Sequence, residues 1–344
     1  MAKNGDTLVV GPSWVGDMVM AQTLFKCLKA RAPEAAIDVL APAWSNPLLE
    51  RMPEVRSAIN LPFGHGEFKL TERWELGKRL QKTAYSKAIV LPNSLKSALI
   101  PFFADIPVRT GWRGEMRFFL LNDIRLLVKS RYPKMIERFA ALAFPPNTDL
   151  PADLPFPQLS ISEREVDACL QKFSLNQQRQ ILAICPGAEF GPSKRWPEEH
   201  YAEIANRKIA AGWQVWIFGS ANDSAGAAKI REQLAPEHRH HCHLLAGSTT
   251  LAEAIDLLSA TDAVVSNDSG LMHVAAALER PLVVVYGSTS PVFTPPLSDN
   301  VSIQSVAVDC GPCFQRDCPK GHLKCQWGVK PDRVESALNE LMNR

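Results

Sequence analysis

Short continuous apolar runs alternate with stretches of helical spacing along most of the chain. The first run, Thr7 to Val10, closes on Gly11, and Asp17 to Arg31 then carries apolar residues three and four apart. Further runs at Ala36–Leu40 and Ala88–Leu91 predict strands, and Leu70–Gln81 and Ser94–Phe103 predict helices. A strand that is apolar throughout, rather than at every second position, is covered on both faces. The alternation therefore predicts a parallel sheet with helices on either side.

From Phe144 to Pro157 prolines recur too often for a helix interior or a central strand, and this stretch reads as an interdomain linker. The alternation then restarts, with strands expected at Ile181–Cys185, Gln214–Phe218, Ala263–Ser266 and Leu282–Tyr286. Helices are expected at Pro197–Ala211, Ala221–Leu234, Leu251–Ser259 and Ser269–Leu278. The fold class that follows is α/β, with two Rossmann-like doubly wound domains, residues 1–155 and 156–330, facing each other across a cleft. The last helical stretch, Pro331–Met342, has no sheet of its own to follow.

Length agrees, because 344 residues exceed the ~250–300 at which one core stops growing. No apolar run approaches the ~18 residues of a membrane span. Met1 to Thr7 leads into the first strand without the features of a secretory signal, so a cytoplasmic location is expected. Residues 1–150 hold 21 Lys and Arg against 14 Asp and Glu, whereas residues 151–344 hold 17 against 22. The N-terminal half is thus +7 and the remainder −5, as an anionic acceptor or membrane surface would favour, although scattered solvated charge accounts for it too. No nucleic-acid partner is expected.

Four of the eight cysteines, Cys310, Cys313, Cys318 and Cys325, crowd one stretch near His322. They are the right ligand types for a structural metal but lack the usual paired spacing, and reduced thiols are the other reading. The tract His238-Arg-His-His-Cys-His243 reads as an exposed turn entering a strand.

In an open parallel sheet, ligands lie beyond the carboxyl ends of the strands, so the loops there carry the candidate chemistry. Gly11-Pro-Ser-Trp-Val-Gly-Asp17 is not the G-x-G-x-x-G dinucleotide fingerprint, since Ser13 stands where the second glycine belongs. It places Asp17 at a helix start, either as a proton acceptor for an incoming hydroxyl or as an acid favoured by the helix dipole. Cys185-Pro-Gly-Ala-Glu-Phe-Gly-Pro-Ser-Lys-Arg-Trp-Pro197 sets Lys194 and Arg195 beside a glycine-bearing loop that could seat a diphosphate. In Ser266-Asn-Asp-Ser-Gly-Leu-Met-His273, Asp268 or Ser269 can cap the next helix, whose first amides suit phosphate oxygens. A capping turn with a core histidine is the plainer alternative. Tyr286-Gly-Ser-Thr-Ser-Pro291 is a fourth polar loop leaving a strand.

Together with Leu91-Pro-Asn-Ser-Leu-Lys-Ser-Ala98 and Arg109-Thr-Gly-Trp-Arg-Gly-Glu-Met-Arg117, these loops resemble the ADP-heptose:lipopolysaccharide heptosyltransferases over nearly the whole chain. The resemblance implies an inverting, GT-B type glycosyltransferase that requires no metal cofactor, with its last helix (331–344) packed back on the first domain. It implies ADP-heptose as donor and, as acceptor, the first heptose on the Kdo-lipid A core at the inner leaflet, with peripheral membrane contact. Asp17 would be the catalytic base. Lys194, Asp268, Ser269, Gly270, Leu271 and His273, with Gly187 and Ser220, would bind the donor. Ser13, Trp14, Asn93, Lys96, Arg113 and Arg117 are the acceptor-side candidates.

A sister core transferase would share the donor loops. A nucleotide-binding oxidoreductase is disfavoured by the missing glycine fingerprint, and a binding module without turnover by the presence of both Asp17 and Lys194.

Overall fold

The computed structural model describes residues 5–64 and 66–344, which divide into two units between Gln158 and Leu159. In the first, β1 (Thr7–Val10), β2 (Ile37–Pro42), β3 (Val55–Leu61), β4 (Lys87–Val90), β5 (Val108–Trp112) and β6 (Asp123–Arg125) form a parallel sheet in the order β3-β2-β1-β4-β5-β6. The second repeats this plan with β7 (Ile181–Cys185), β8 (Gln214–Ile217), β9 (Cys242–Leu244), β10 (Ala263–Asn267), β11 (Leu282–Val285) and β12 (Val301–Gln304), ordered β12-β11-β10-β7-β8-β9. Both are doubly wound. The winding reverses between β1 and β4 and again between β7 and β10, and at such a switch point two loops diverge to leave a crevice.

The central strands are the apolar runs of the sequence, and β1, β7, β10 and β11 are buried along their whole length. Strands β3, β5, β6 and β12 were not expected. Three of them close sheet edges, where one side is open and the apolar run is diluted; β3 has only exposed and half-buried positions. A polar network secures β3 instead. Arg56 on that strand donates from Nε to Asp38 Oδ1 of β2 at 2.9 Å, and Tyr85 donates its hydroxyl to Asp38 Oδ2 at 2.6 Å, so the buried carboxylate has partners.

The proline-rich segment is not a free linker. Gln22, on the helix Val15–Arg31, donates to the Gln158 carbonyl and accepts from the Gln158 amide, both at 2.8 Å. Thr23 and Lys26 donate to the carbonyls of Pro155 and Phe156 at 2.9 and 2.8 Å. Backbone without secondary structure is thereby satisfied by one helix face, which moves the boundary from the expected 155 to 158. The next amide, Leu159, already donates to Ala277 of the second unit at 3.0 Å.

The last helix, Pro331–Met342, buries Val334, Ala337, Leu338 and Leu341 in the second unit's core. Those four residues are one helical stripe. Around them, Lys208 reaches Asn339 at 2.7 Å, Arg207 reaches Asp332 and Glu335 at 2.7 Å each, and Trp196 Nε1 donates to the Val329 carbonyl at 2.8 Å.

Candidate active site

In the second unit the switch point lies between β7 and β10, whose register sets Cys185 beside Ser266. Residues 186–197 leave one strand, and Asp268 and Ser269 follow the other before the helix Gly270–Ala277. Lys194 and Asp268, far apart in sequence, meet there: Lys194 Nζ lies 2.6 Å from Asp268 Oδ2. The same oxygen accepts from the Thr289 hydroxyl at 2.6 Å, and the ammonium also sits 5.1 Å from the centre of the Phe190 ring. Asp268 is buried and Lys194 nearly so. A cation is thus held at the mouth of a helix N-terminus, where amides and dipole both favour an anion.

The loops are locked by side chains that pass between them. Asn267 Oδ1 accepts from the Trp196 amide and the Tyr201 hydroxyl, each at 2.9 Å. Ser193 Oγ donates to Ser288 Oγ at 2.9 Å, and Gln326 Nε2 donates to the Ser193 carbonyl at 2.9 Å. Gln326 occupies the space that a side chain on Gly287 would need, 2.3 Å from an added Cβ.

His273, one turn into the helix, is buried. Burial holds its imidazole down at about 4 from an ordinary 6.5, with Lys194 adding to the depression and Asp268 opposing it. It is neutral near pH 7. Because the folded state binds this proton more weakly than the unfolded state, its contribution to stability is complete above 6.5 and is lost as pH falls towards 4. Between pH 7 and pH 5 the loss is ~2 kcal/mol. We expect urea unfolding of His273→Gln to show a pH dependence flatter by that amount; an unchanged dependence would show that His273 is not buried neutral.

Ser220 and Gly187 are joined through Asp223, which the sequence reading missed. Ser220 donates from its amide at 2.9 Å and from its hydroxyl at 2.8 Å to Asp223 Oδ2, while Arg195 approaches Oδ1 at 3.4 Å. The S-x-x-D spacing of a capping box was the available signal. A Cβ on Gly187 would lie 2.5 Å from the Asp223 carboxylate. Gly187→Ala is therefore expected to force the loop and the carboxylate apart, lowering stability by ~1–3 kcal/mol as overpacking does. An unshifted thermal midpoint would contradict this close contact.

In the first unit Asp17 is half-buried in the first turn of the helix Val15–Arg31. Gly11 permits the tight entry, since an added Cβ would lie 2.8 Å from the Met18 side chain. The Leu91 amide donates to the Val10 carbonyl at 3.1 Å, so the loops after β1 and β4 leave one edge together. Exposed Ser13 and Trp14 lie on the first loop, and exposed Asn93 and half-buried Lys96 follow β4. Exposed Arg113 follows β5. Arg117 does not join them. It is buried and donates to the carbonyls of Trp112 and Pro92 at 2.6 Å each, and burial lowers its guanidinium to about 10. The expectation that Arg117 meets the acceptor is corrected: its donors brace the loops beneath. Asn93 is partly engaged too, accepting from Arg117 Nη2 at 3.3 Å.

Cys325 is buried and Cys310, Cys313 and Cys318 are half-buried. Cys310 Sγ lies 4.0 Å from His322 Nε2. Among the described residues no three His, Cys, Asp or Glu side chains form a group that could hold a metal ion. The histidine tract forms a short 3-10 turn, Pro236–His241, entering β9. Among the described residues no helix is long and apolar enough to cross a membrane.

Two doubly wound sheets, with a lysine and a helix N-terminus at the switch point of the second, form an α/β protein that can seat a phosphate-bearing ligand such as a nucleotide. The chain matches glycosyltransferase family 9 (heptosyltransferase) over residues 73–324, and it belongs to that family. It is 51% identical over 341 residues to lipopolysaccharide heptosyltransferase 2 of Salmonella typhimurium, covering 98% of each chain. It is 48% identical over 345 residues to lipooligosaccharide heptosyltransferase 2 of Haemophilus influenzae, covering 97% of this chain and 99% of that one. Among solved structures it is similar to E. coli ADP-heptose lps heptosyltransferase II, with TM-score 0.90, 48% identity and 98% of each chain covered.

Proposed function

We propose that this protein transfers a heptose from ADP-heptose to the first heptose of the lipopolysaccharide inner core, at the cytoplasmic face of the membrane, by an inverting reaction without a metal cofactor. The observation that carries the reading is the Lys194, Asp268 and Thr289 cluster at the second unit's switch point, in a chain 51% identical to a lipopolysaccharide heptosyltransferase 2.

In such a transfer the acceptor hydroxyl oxygen forms a bond to the anomeric carbon while the bond from that carbon to the diphosphate oxygen breaks on the opposite face. The hydroxyl proton must leave, and ADP departs with one more negative charge. Asp17 takes the proton. Lys194 faces the departing diphosphate, and Asp268, itself held by the Thr289 hydroxyl, keeps the ammonium in place so that no reorganisation is needed as charge develops. The amides at Gly270 and Leu271 add a second anion seat, and His273 supports that turn as a neutral group.

The test is mass-spectrometric. ADP-heptose is offered with a Kdo-lipid A acceptor that carries one heptose, and separately with the same acceptor lacking it. Gain of one heptose on the first alone is expected. Gain on the second alone would identify a sister transferase, and no gain with any nucleotide sugar would leave a binding module.

A further inference from the structure

The cysteine-bearing segment after β12 stands against the loop that carries Lys194. The Phe314 amide donates to the Ser288 carbonyl at 2.8 Å, and the Ser193 amide donates to the Arg316 carbonyl at 3.1 Å. Gln326, fully buried further along the segment, donates to the Ser193 carbonyl. Irregular backbone after β12 and the loops leaving β7 and β11 thus satisfy one another's polar groups.

Within this segment Arg316 grips the Lys194 loop twice. Lys194 ends a short 3-10 turn, Pro192–Lys194. Just before that turn, Arg316 Nε donates to the Phe190 carbonyl at 2.7 Å; inside it, the Arg316 carbonyl accepts from the Ser193 amide. Gly191 lies between the two bonded residues. A Cβ there would stand 2.5 Å from the Arg316 carbonyl oxygen, so glycine is what admits so close an approach. The Phe190 ring is shared as well, with Lys194 Nζ 5.1 Å and Arg316 Cζ 6.0 Å from its centre.

Lys194 therefore has two supports of different kinds. Asp268 holds its ammonium at 2.6 Å, and Arg316 holds the turn from which the side chain starts. The stem between them is a flexible chain of four carbons. Fixing the tip alone leaves the turn free to shift and to carry the tip with it, and misplacing a group by ~1 Å can cost ~10²-fold in rate. Arg316 is exposed, so its grip on the turn is separable from the core.

We infer that Arg316 is a positioning residue for the transfer, acting through Lys194 by holding the turn Pro192–Lys194. The inference rests on the reading of Lys194 as the group that faces the diphosphate. Its test is a double-mutant cycle on the full chain. Arg316→Met is expected to lower kcat about tenfold, with ADP affinity in calorimetry changed by less than about threefold and the thermal midpoint unmoved. Arg316→Lys keeps a cationic donor on a stem of similar reach and should recover most of the loss. Added to Lys194→Met, Arg316→Met should lower kcat no further, because the group it positions is gone. Lys320→Met removes a cation from the same exposed segment and should leave kcat unchanged. A loss of equal size with and without Lys194 would overturn the inference. So would an ADP affinity that falls as far as kcat, since Arg316 would then meet the diphosphate itself, and so would a loss matched by Lys320→Met, which net charge would explain. Parent-like kcat in Arg316→Met would overturn it while leaving the transfer reading intact, whereas an unmodified chain that moves no heptose would remove that reading and this inference with it.

Discussion

Replacing Asp17 by asparagine is expected to lower kcat by ~10²–10⁴, the range a positioned general base contributes, while ADP binding stays near that of the unmodified protein. Asparagine keeps the shape of the side chain and its place in the first helical turn. What it removes is the ability to take a proton. The other role open to an acid at this position, complementing the helix dipole, is worth only ~0.3–1 kcal/mol. The two roles therefore separate cleanly. If Asp17 serves the helix alone, calorimetry and thermal melting will show a small loss of stability and turnover will persist; that outcome would remove it from the mechanism.

The second large effect is expected at Lys194, where function and stability change together. Lys194→Met should lower kcat/KM by ~10²–10³, the loss that follows removal of one aimed donor to developing charge. It also strands Asp268, a buried carboxylate that keeps the Thr289 hydroxyl but loses its cation. Breaking a buried pair from one side costs ~3–5 kcal/mol, and the residual exposure of Lys194 places this case near ~3. Adding Asp268→Asn should recover much of that stability, since neither charge is then left alone, without recovering activity. Denaturant melts of the two single variants and the double variant measure the stability terms, and transfer kinetics the catalytic one. A Lys194→Met protein as stable and as active as the parent would mean that the ammonium neither neutralises Asp268 nor meets the donor.

Much of this architecture was legible along the chain. The strand Ile181–Cys185 and the helices Leu251–Ser259 and Pro331–Met342 lie where apolar spacing put them. The loops that leave β1, β7, β10 and β11 are the ones the sequence marked. Periodicity and turn chemistry are properties of neighbouring residues, so they survive in one dimension. Edge strands such as β3, β6 and β12 were not legible, because half-covered strands have a mixed composition and owe their position to pairing with a partner strand.

The same division runs through the site. The sequence by itself determined that the chain is an α/β protein of two wound sheets and where along it the polar loops fall, and it carried the capping signature around Asp223. Only the tertiary structure decided that Lys194 and Thr289 share one oxygen of Asp268, because parallel pairing of β7 with β10 and of β10 with β11 joins residues distant along the chain. It also decided between two arginines of one segment: Arg113 reaches solvent, while Arg117 is spent on backbone carbonyls. Nothing local separates them. Whether a cation binds a ligand or braces a loop depends on which carbonyls other strands bring within its reach, and that is settled only when the sheet forms.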